Sequence, residues 1–207
     1  MASTPDGVQL EWPTRADDVL HAEVHRLVSA VVELGGAVGW LHVPDAAECA
    51  AWLGDVLDKV VRGRGALVVV RRAVRVEALG MWLGLDAPVF AQNAEIRRVM
   101  VHPDSRGGGL ARVVMEGLAA SAQAAGVEVL RLGVRGNNHV AQALYESLGW
   151  VEAGRIPDFI GVGDERWDDV TYYLDFPRPD GVRRHGSAPV GAGSSGREQH
   201  PAAGSEV

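Results

Sequence analysis

The stretch Val99-Met100-Val101-His102-Pro103-Asp104-Ser105-Arg106-Gly107-Gly108-Gly109-Leu110-Ala111 constrains this chain more than any other. It reads as the end of a β-strand, a proline-marked turn, a glycine run and the start of an amphipathic helix with Val113, Val114 and Leu118 inward. Glycines before a helix let backbone N–H groups converge without Cβ obstruction, and the helix dipole adds positive potential at that end. Such a unit can hold an anion on main chain alone and suits a pyrophosphate. Arg106 at its lip adds a side-chain cation. A Walker loop would need Lys-Ser or Lys-Thr after the last glycine, but Leu110-Ala111-Arg112 follows, and Lys59 is the single lysine of the chain. A dinucleotide fingerprint would need a third glycine and a place in the first strand–helix unit. A glycine turn without a ligand remains the alternative.

The chain has 207 residues and a net charge of −7. One cysteine, Cys49, leaves no internal disulfide and no multi-cysteine metal site, and we expect no metal. The acidic balance argues against a nucleic-acid surface. No signal pattern or long apolar run stands out, so a cytoplasmic protein without a membrane partner is expected. Residues 1–176 read as one domain. Residues 177–207, rich in Gly, Pro and Ser, read as a disordered tail.

Within the domain, Val8–Trp12 alternates like an edge strand. Helical periodicity follows from Thr14 to Leu34 and from about Pro44 to Val61, with Cys49 on the apolar side of the second helix. Strands are expected over Ala66–Arg72, Val76–Leu85, Glu95–Val101, Val127–Val134, Trp150–Ile156 and Asp169–Phe176. Helices are expected over Gly109–Ala125 and Asn138–Leu148. The pattern is α/β or α+β, a mixed sheet with two crossover helices.

Two segments together resemble a known family. Arg106-x-x-Gly109-x-Ala111 after Val-x-Val-His-Pro is similar to the acyl-CoA pyrophosphate loop of the GNAT superfamily of N-acyltransferases. Asn138-x-x-Ala141-x-x-Leu144-Tyr145-x-x-x-Gly149-Trp150 is similar to that family's second signature, and the two occur in the family's order. The clear resemblance covers residues 76–156. Arg155-Ile156-Pro157-Asp158-Phe159 is also similar to members that acetylate small amines, such as tabtoxin-resistance acetyltransferases. Gln142 departs from the pattern, standing where an aliphatic residue is usual.

The resemblance implies a mostly antiparallel sheet of six to seven strands, about four helices, and central strands splayed at an acetyl-CoA site. Val99, Met100 and Val101 would lend backbone groups to the pantetheine arm. The N–H groups of Arg106, Gly107, Gly108, Gly109, Leu110 and Ala111 would hold the pyrophosphate. Asn138 would reach the same cofactor, or serve simply as an N-cap. Tyr145 would protonate the departing thiolate, or be a packed helix tyrosine. The N–H of Met100 or Val101 would polarise the thioester carbonyl. Glu95 is the candidate base, with a water chain as the alternative.

Residues 152–175 carry a net charge of −5, and the resemblance implies that the acids Asp158, Asp168 and Asp169 lie in a connection beside the acceptor. Clustered carboxylates attract cations, so the resemblance implies a small cationic amine as partner and leaves a homodimer open. An acetyltransferase of protein N-termini or lysines and a non-catalytic acyl-CoA-binding module are the competing classes.

Overall fold

Two aspartates decide where the chain first turns helical. In the computed structural model, which describes residues 7–36 and 38–178, Asp17 accepts a hydrogen bond from the Leu20 N–H at 2.8 Å and starts helix α1, Asp18–Glu33. Helix α2, Ala46–Val61, opens on a capping box in which Asp45 and Glu48 satisfy each other's backbone N–H groups. The helix expected from Thr14 therefore begins four residues later, at the residue after its cap. Apart from Pro177 and Arg178, the expected tail lies outside the described residues.

Seven strands form one sheet: β1 Gln9–Glu11, β2 Gly65–Arg72, β3 Arg75–Gly84, β4 Asn93–Val101, β5 Val129–Arg135, β6 Val151–Val162 and β7 Glu165–Asp175. Their order is β1-β2-β3-β4-β5-β7-β6, and every pair is antiparallel except β4 with β5. Helices α3, Leu110–Ala124, and α4, His139–Ser147, complete a fold of four helices and a mixed sheet. Helices α1 and α2 bury Val24, Leu27, Val28 and Leu53 on one sheet face with Leu67, Val69, Leu79 and Met81. Helix α3 buries Val114, Met115 and Leu118 on the opposite face with Val68, Val70 and Ala78.

The pairing of β4 with β5 is short: Asn93, Ala94 and Glu95 face Val129, Leu130 and Arg131, and there it ends. Beyond Glu95 the central strands part. A bulge bends β4 away. In the ladder with β3, Met81 pairs Arg97 but Leu79 pairs Met100, so Arg98 and Val99 together oppose Gly80. This is a β-bulge, with Arg98 in the left-handed region at φ 53°. Meanwhile β5 stays in full register with β7, from Val129↔Asp175 to Arg135↔Asp169.

The last two strands are much longer than their composition suggests. The stretch 157–168, expected as a connection, is strand except for the turn at Gly163 and Asp164. Acids lower β-propensity, which disguises the hairpin. Two register shifts in β6 and a left-handed Asp158 (φ 55°) accommodate them along this sheet edge. Asp158, Asp168 and Asp169 accordingly sit on strands, not in a loop.

Gly80 is where α3 meets the bulge. A Cβ there would stand 2.7 Å from Val114 Cγ1 and 3.0 Å from Leu118 Cδ1. Gly80→Val should push α3 off β3 and lower the unfolding free energy by about 1–3 kcal/mol, read by urea denaturation. An unchanged midpoint would show that α3 does not depend on this close approach.

Candidate active site

The site grows from the gap between β4 and β5. His102 N–H donates to the Glu77 carbonyl on β3 at 2.8 Å. Because N–H directions alternate along a strand, the N–H groups of Val99 and Val101 point the other way, into the gap. Met100 instead pairs with Leu79 on β3 and buries its side chain among α1 and α2. Of the two backbone donors considered for the carbonyl, Val101 is therefore the one that faces the gap. The side chains of Val99 and Val101 pack on the α3 face.

Past Val101 the chain makes one short helical turn, Pro103–Ser105, and then Arg106, Gly107 and Gly108, all exposed, lead to Gly109. Gly109 is the N-cap of α3 at φ 76°, and no side chain caps that helix. The N–H groups of its first turn, including those of Leu110 and Ala111, are thus open to an anion. Glu77 fixes the loop from below, since its buried carboxylate accepts a hydrogen bond from Ser105 Oγ at 2.7 Å while its carbonyl holds His102. Periodicity does not flag Glu77; the available signal is one acid inside the apolar run Val76–Leu85.

Helix α4 is set against this loop by Arg112, which donates to Ser147 Oγ at 2.7 Å. Asn138 caps α4 by accepting from Ala141 N–H at 3.2 Å, which leaves its amide NH₂ for another acceptor. Gln142 has a structural account: its amide donates to the Gly136 carbonyl at 2.9 Å and pins the turn between β5 and α4. An aliphatic residue could not do this.

Tyr145 is buried among Trp150 and Tyr172, with ring centroids at 6.2 and 5.7 Å. It shares one apolar cluster with Leu110, Val99 and Val101, so the structure brings the glycine loop, the end of β4 and this tyrosine together. Its neighbour Tyr172 donates to Glu146 Oε1 at 3.2 Å, whereas the Tyr145 hydroxyl has no hydrogen-bond partner among the described residues. Burial pushes the Tyr145 phenol up to about 12, so it keeps its proton at neutral pH.

The other sheet face carries Glu95 at the apex of the gap. Its carboxylate is engaged by Arg97 and, at 3.4 Å, by Arg131. Farther along the gap stand Arg98 on β4 and Arg135 on β5, and Asp169 covers Gly133 with Oδ1 3.0 Å from where a Cβ would lie. Asp168 is paired with Arg155 at 3.3 Å and also accepts from the Asp158 N–H at 3.4 Å. Of the acids anticipated beside the acceptor, Asp168 is therefore engaged within the hairpin. Two shallow concavities around Leu85–Asn93 lie at the opposite end of β4 from the glycine loop.

The residues fit an acyl-CoA thioester: a main-chain anion cradle, a cleft lined by unpaired strand N–H groups, and a protonated phenol. The sequence model of the Acetyltransferase (GNAT) family matches residues 10–150. The L-amino acid N-acyltransferase of Escherichia coli is 33% identical over 95 residues, 46% of this chain and 53% of that protein. The ribosomal-protein alanine N-acetyltransferase of the same species is 37% identical over 86 residues, 42% of this chain and 58% of that protein. This chain thus spans a little over half the length of the curated relatives it matches. A Salmonella typhimurium acetyltransferase solved with its cofactor acetyl-CoA superposes with a TM-score of 0.71 at 21% identity, over 86% of this chain and all of that one, which shows the shared fold.

Ionising Tyr145 is opposed by the fold. Its proton is held more tightly in the folded state than at the ordinary phenol value of 10, so stability is complete below pH 10 and falls as pH rises toward about 12. Tyr145→Phe should flatten part of that alkaline loss in urea titrations, the remainder belonging to Tyr172, which burial raises likewise. Identical alkaline slopes in the two proteins would mean that Tyr145 is not buried as a neutral phenol.

Proposed function

The chain belongs to the GNAT acetyltransferase family, and from that premise we propose that it transfers the acetyl group of acetyl-CoA to a primary amine of a small molecule, by direct attack in a ternary complex. The observation that carries this reading is the early end of β4–β5 pairing beside an uncapped helix N-terminus and a buried tyrosine whose hydroxyl has no hydrogen-bond partner among the described residues.

The bound thioester supplies an activated acyl group; the chain's residues position it and move the protons. The N–H groups from Gly107 to Ala111 bind the pyrophosphate, whereas the Arg106 N–H already donates to the Pro103 carbonyl at 3.2 Å and leaves that residue only its exposed guanidinium to offer, and Asn138 adds its free amide donor. The Val99 and Val101 backbone holds the pantetheine arm in the gap, with Val99 completing the strand-like pairing that β5 leaves unmade. The Val101 N–H donates to the carbonyl oxygen as negative charge develops there. Proximity in the ternary complex provides much of the acceleration. Tyr145 gives its proton to the departing sulfur.

The acceptor enters from the face opposite α3. Its amine must be neutral to attack, and Glu95 at the apex of the gap takes the proton, directly or through water, while Arg97 and Arg131 hold that carboxylate in place. In solution the amine is an ammonium cation. Asp158 and Asp169, with the hairpin acids around them, draw that cation toward the gap. The named relatives act on L-amino acids and on a protein alanine, both primary amines, which agrees with this reaction class. The alternative of a protein acceptor would show as activity on peptides and none on free amines.

A thiol-release assay with acetyl-CoA and a panel of amines tests the reading. Tyr145→Phe should lower kcat by about 100-fold or more with acetyl-CoA affinity unchanged. Equal turnover in the variant would remove Tyr145 from the mechanism, and acetyl-CoA binding without transfer to any amine would favour a binding module.

A further inference from the structure

Arg98 is a half-buried cation with no carboxylate partner among the described residues. The bulge turns Arg97 and Arg98 to the same sheet face, so two consecutive arginines look toward the acceptor side of the gap. The Arg98 guanidinium lies 3.6 Å from the ring centroid of Trp40, in the connection between α1 and α2, and 4.8 Å from that of Trp52 on α2. Gly39 in the same connection leaves it room, because a Cβ there would sit 3.0 Å from Nη2. Aromatic faces attract the charge but accept none of the in-plane N–H bonds. Nη1 is buried and makes no hydrogen bond among the described residues.

The electrostatics point the same way. Burial lowers Arg98 to about 10, and the ionisable groups that act on it are Cys49 and Arg97, neither of them a carboxylate. Across the gap Arg135 repeats the theme. Its guanidinium lies 4.5 Å from the Trp167 ring centroid, its Nη2 reaches the Gly35 carbonyl at 3.5 Å, and its buried Nε has no partner among the described residues. Two arginines, one from each side of the gap, thus touch the same connection and keep an N–H unsatisfied. Leaving such a donor buried is costly, and a planar anion relieves the cost.

Resting on acetyl transfer as the reaction, we propose that Arg98 receives a carboxylate of the acceptor, so that the substrate class is a free amino acid. Arg98 stands three residues before Val101, a separation of about 10 Å at full extension. A molecule whose amine and carboxylate are neighbours can place the amine near the Val101 N–H and the carboxylate against the Arg98 guanidinium. The hairpin acids attract the ammonium end of the same zwitterion. A peptide N-terminus lacks the adjacent carboxylate and leaves Arg98 unpaired.

The test uses the full chain, acetyl-CoA, and matched acceptors: a set of amino acids, the amide of each, and each decarboxylated amine. The wild type should prefer the free amino acid by about 10- to 100-fold in kcat/KM. Arg98→Met should abolish that preference through KM, leaving kcat on the decarboxylated amine within a few-fold. Arg98→Lys, which keeps the charge but not the planar fork, should retain part of it. Independently of turnover, the preferred amino acid should raise the melting temperature of the wild type and not that of folded Arg98→Met. Should Arg98→Met fail to fold, the lysine variant carries both readouts. Equal use of acids, amides and amines, or a preference that survives Arg98→Met, would overturn the assignment while leaving acetyl transfer standing. Transfer to no acceptor at all would remove both.

Discussion

Everything functional in this fold depends on a ladder that stops early. After Glu95 and Arg131 the two central strands exchange no further hydrogen bonds, and each edge of the gap must be held open by something else. On one side β5 is fixed over its whole length to β7. On the other, β4 is fixed to β3 through a bulge opposite Gly80, where Val114 and Leu118 of α3 come close. Backbone groups left unpaired inside a protein cost about 1–3 kcal/mol each. A gap with strand N–H groups along its edge is therefore held against a penalty that an amide-bearing ligand removes, which makes the cleft a binding site before any side chain is considered.

The gap also divides labour between two sheet faces. On the α3 face, Val99, Val101, Leu110 and Tyr145 belong to one apolar cluster, and a phenol there holds its proton because water is excluded. The pair Tyr145 and Tyr172 shows how position separates roles. Both are buried and in ring contact, yet one is tied to Glu146 and the other has no hydroxyl partner among the described residues. On the opposite face the sheet presents Glu95, Arg97, Arg98, Arg131 and Arg135, groups suited to an acceptor that arrives charged.

The donor half of the site was legible in the sequence because its chemistry is local. A glycine loop before a helix and a tyrosine in a helical signature are contiguous motifs, and hydrophobic periodicity located every helix and strand to within a few residues apart from the final hairpin. The acceptor half was not legible, for two physical reasons. Alternation fails at a bulge, so no pattern singles out Arg98, although it packs against two tryptophans. Acidic residues disfavour strands on average, so the run from Asp158 to Asp169 reads as a loop, whereas Arg155 pairing with Asp168 makes it a hairpin. Gln142 sits between the two cases: it breaks a motif, and its reason is a carbonyl six residues earlier that no pattern names.

Charge on the acceptor side accordingly works at two ranges. The hairpin acids are exposed or half-exposed, and their field is screened within a Debye length of about 8 Å at physiological salt, so they act on the rate of encounter. Arg98 lies half-buried against Trp40 and Trp52, is screened less than the hairpin acids, and acts on what stays bound. A purely cationic amine would be drawn in by the first and repelled by the second. A zwitterion satisfies both, because its two charges are separated in the same sense as the protein's. The overall acidity of the chain therefore says little about its substrate, and the sign of the half-buried Arg98, which has no counter-ion among the described residues, says more.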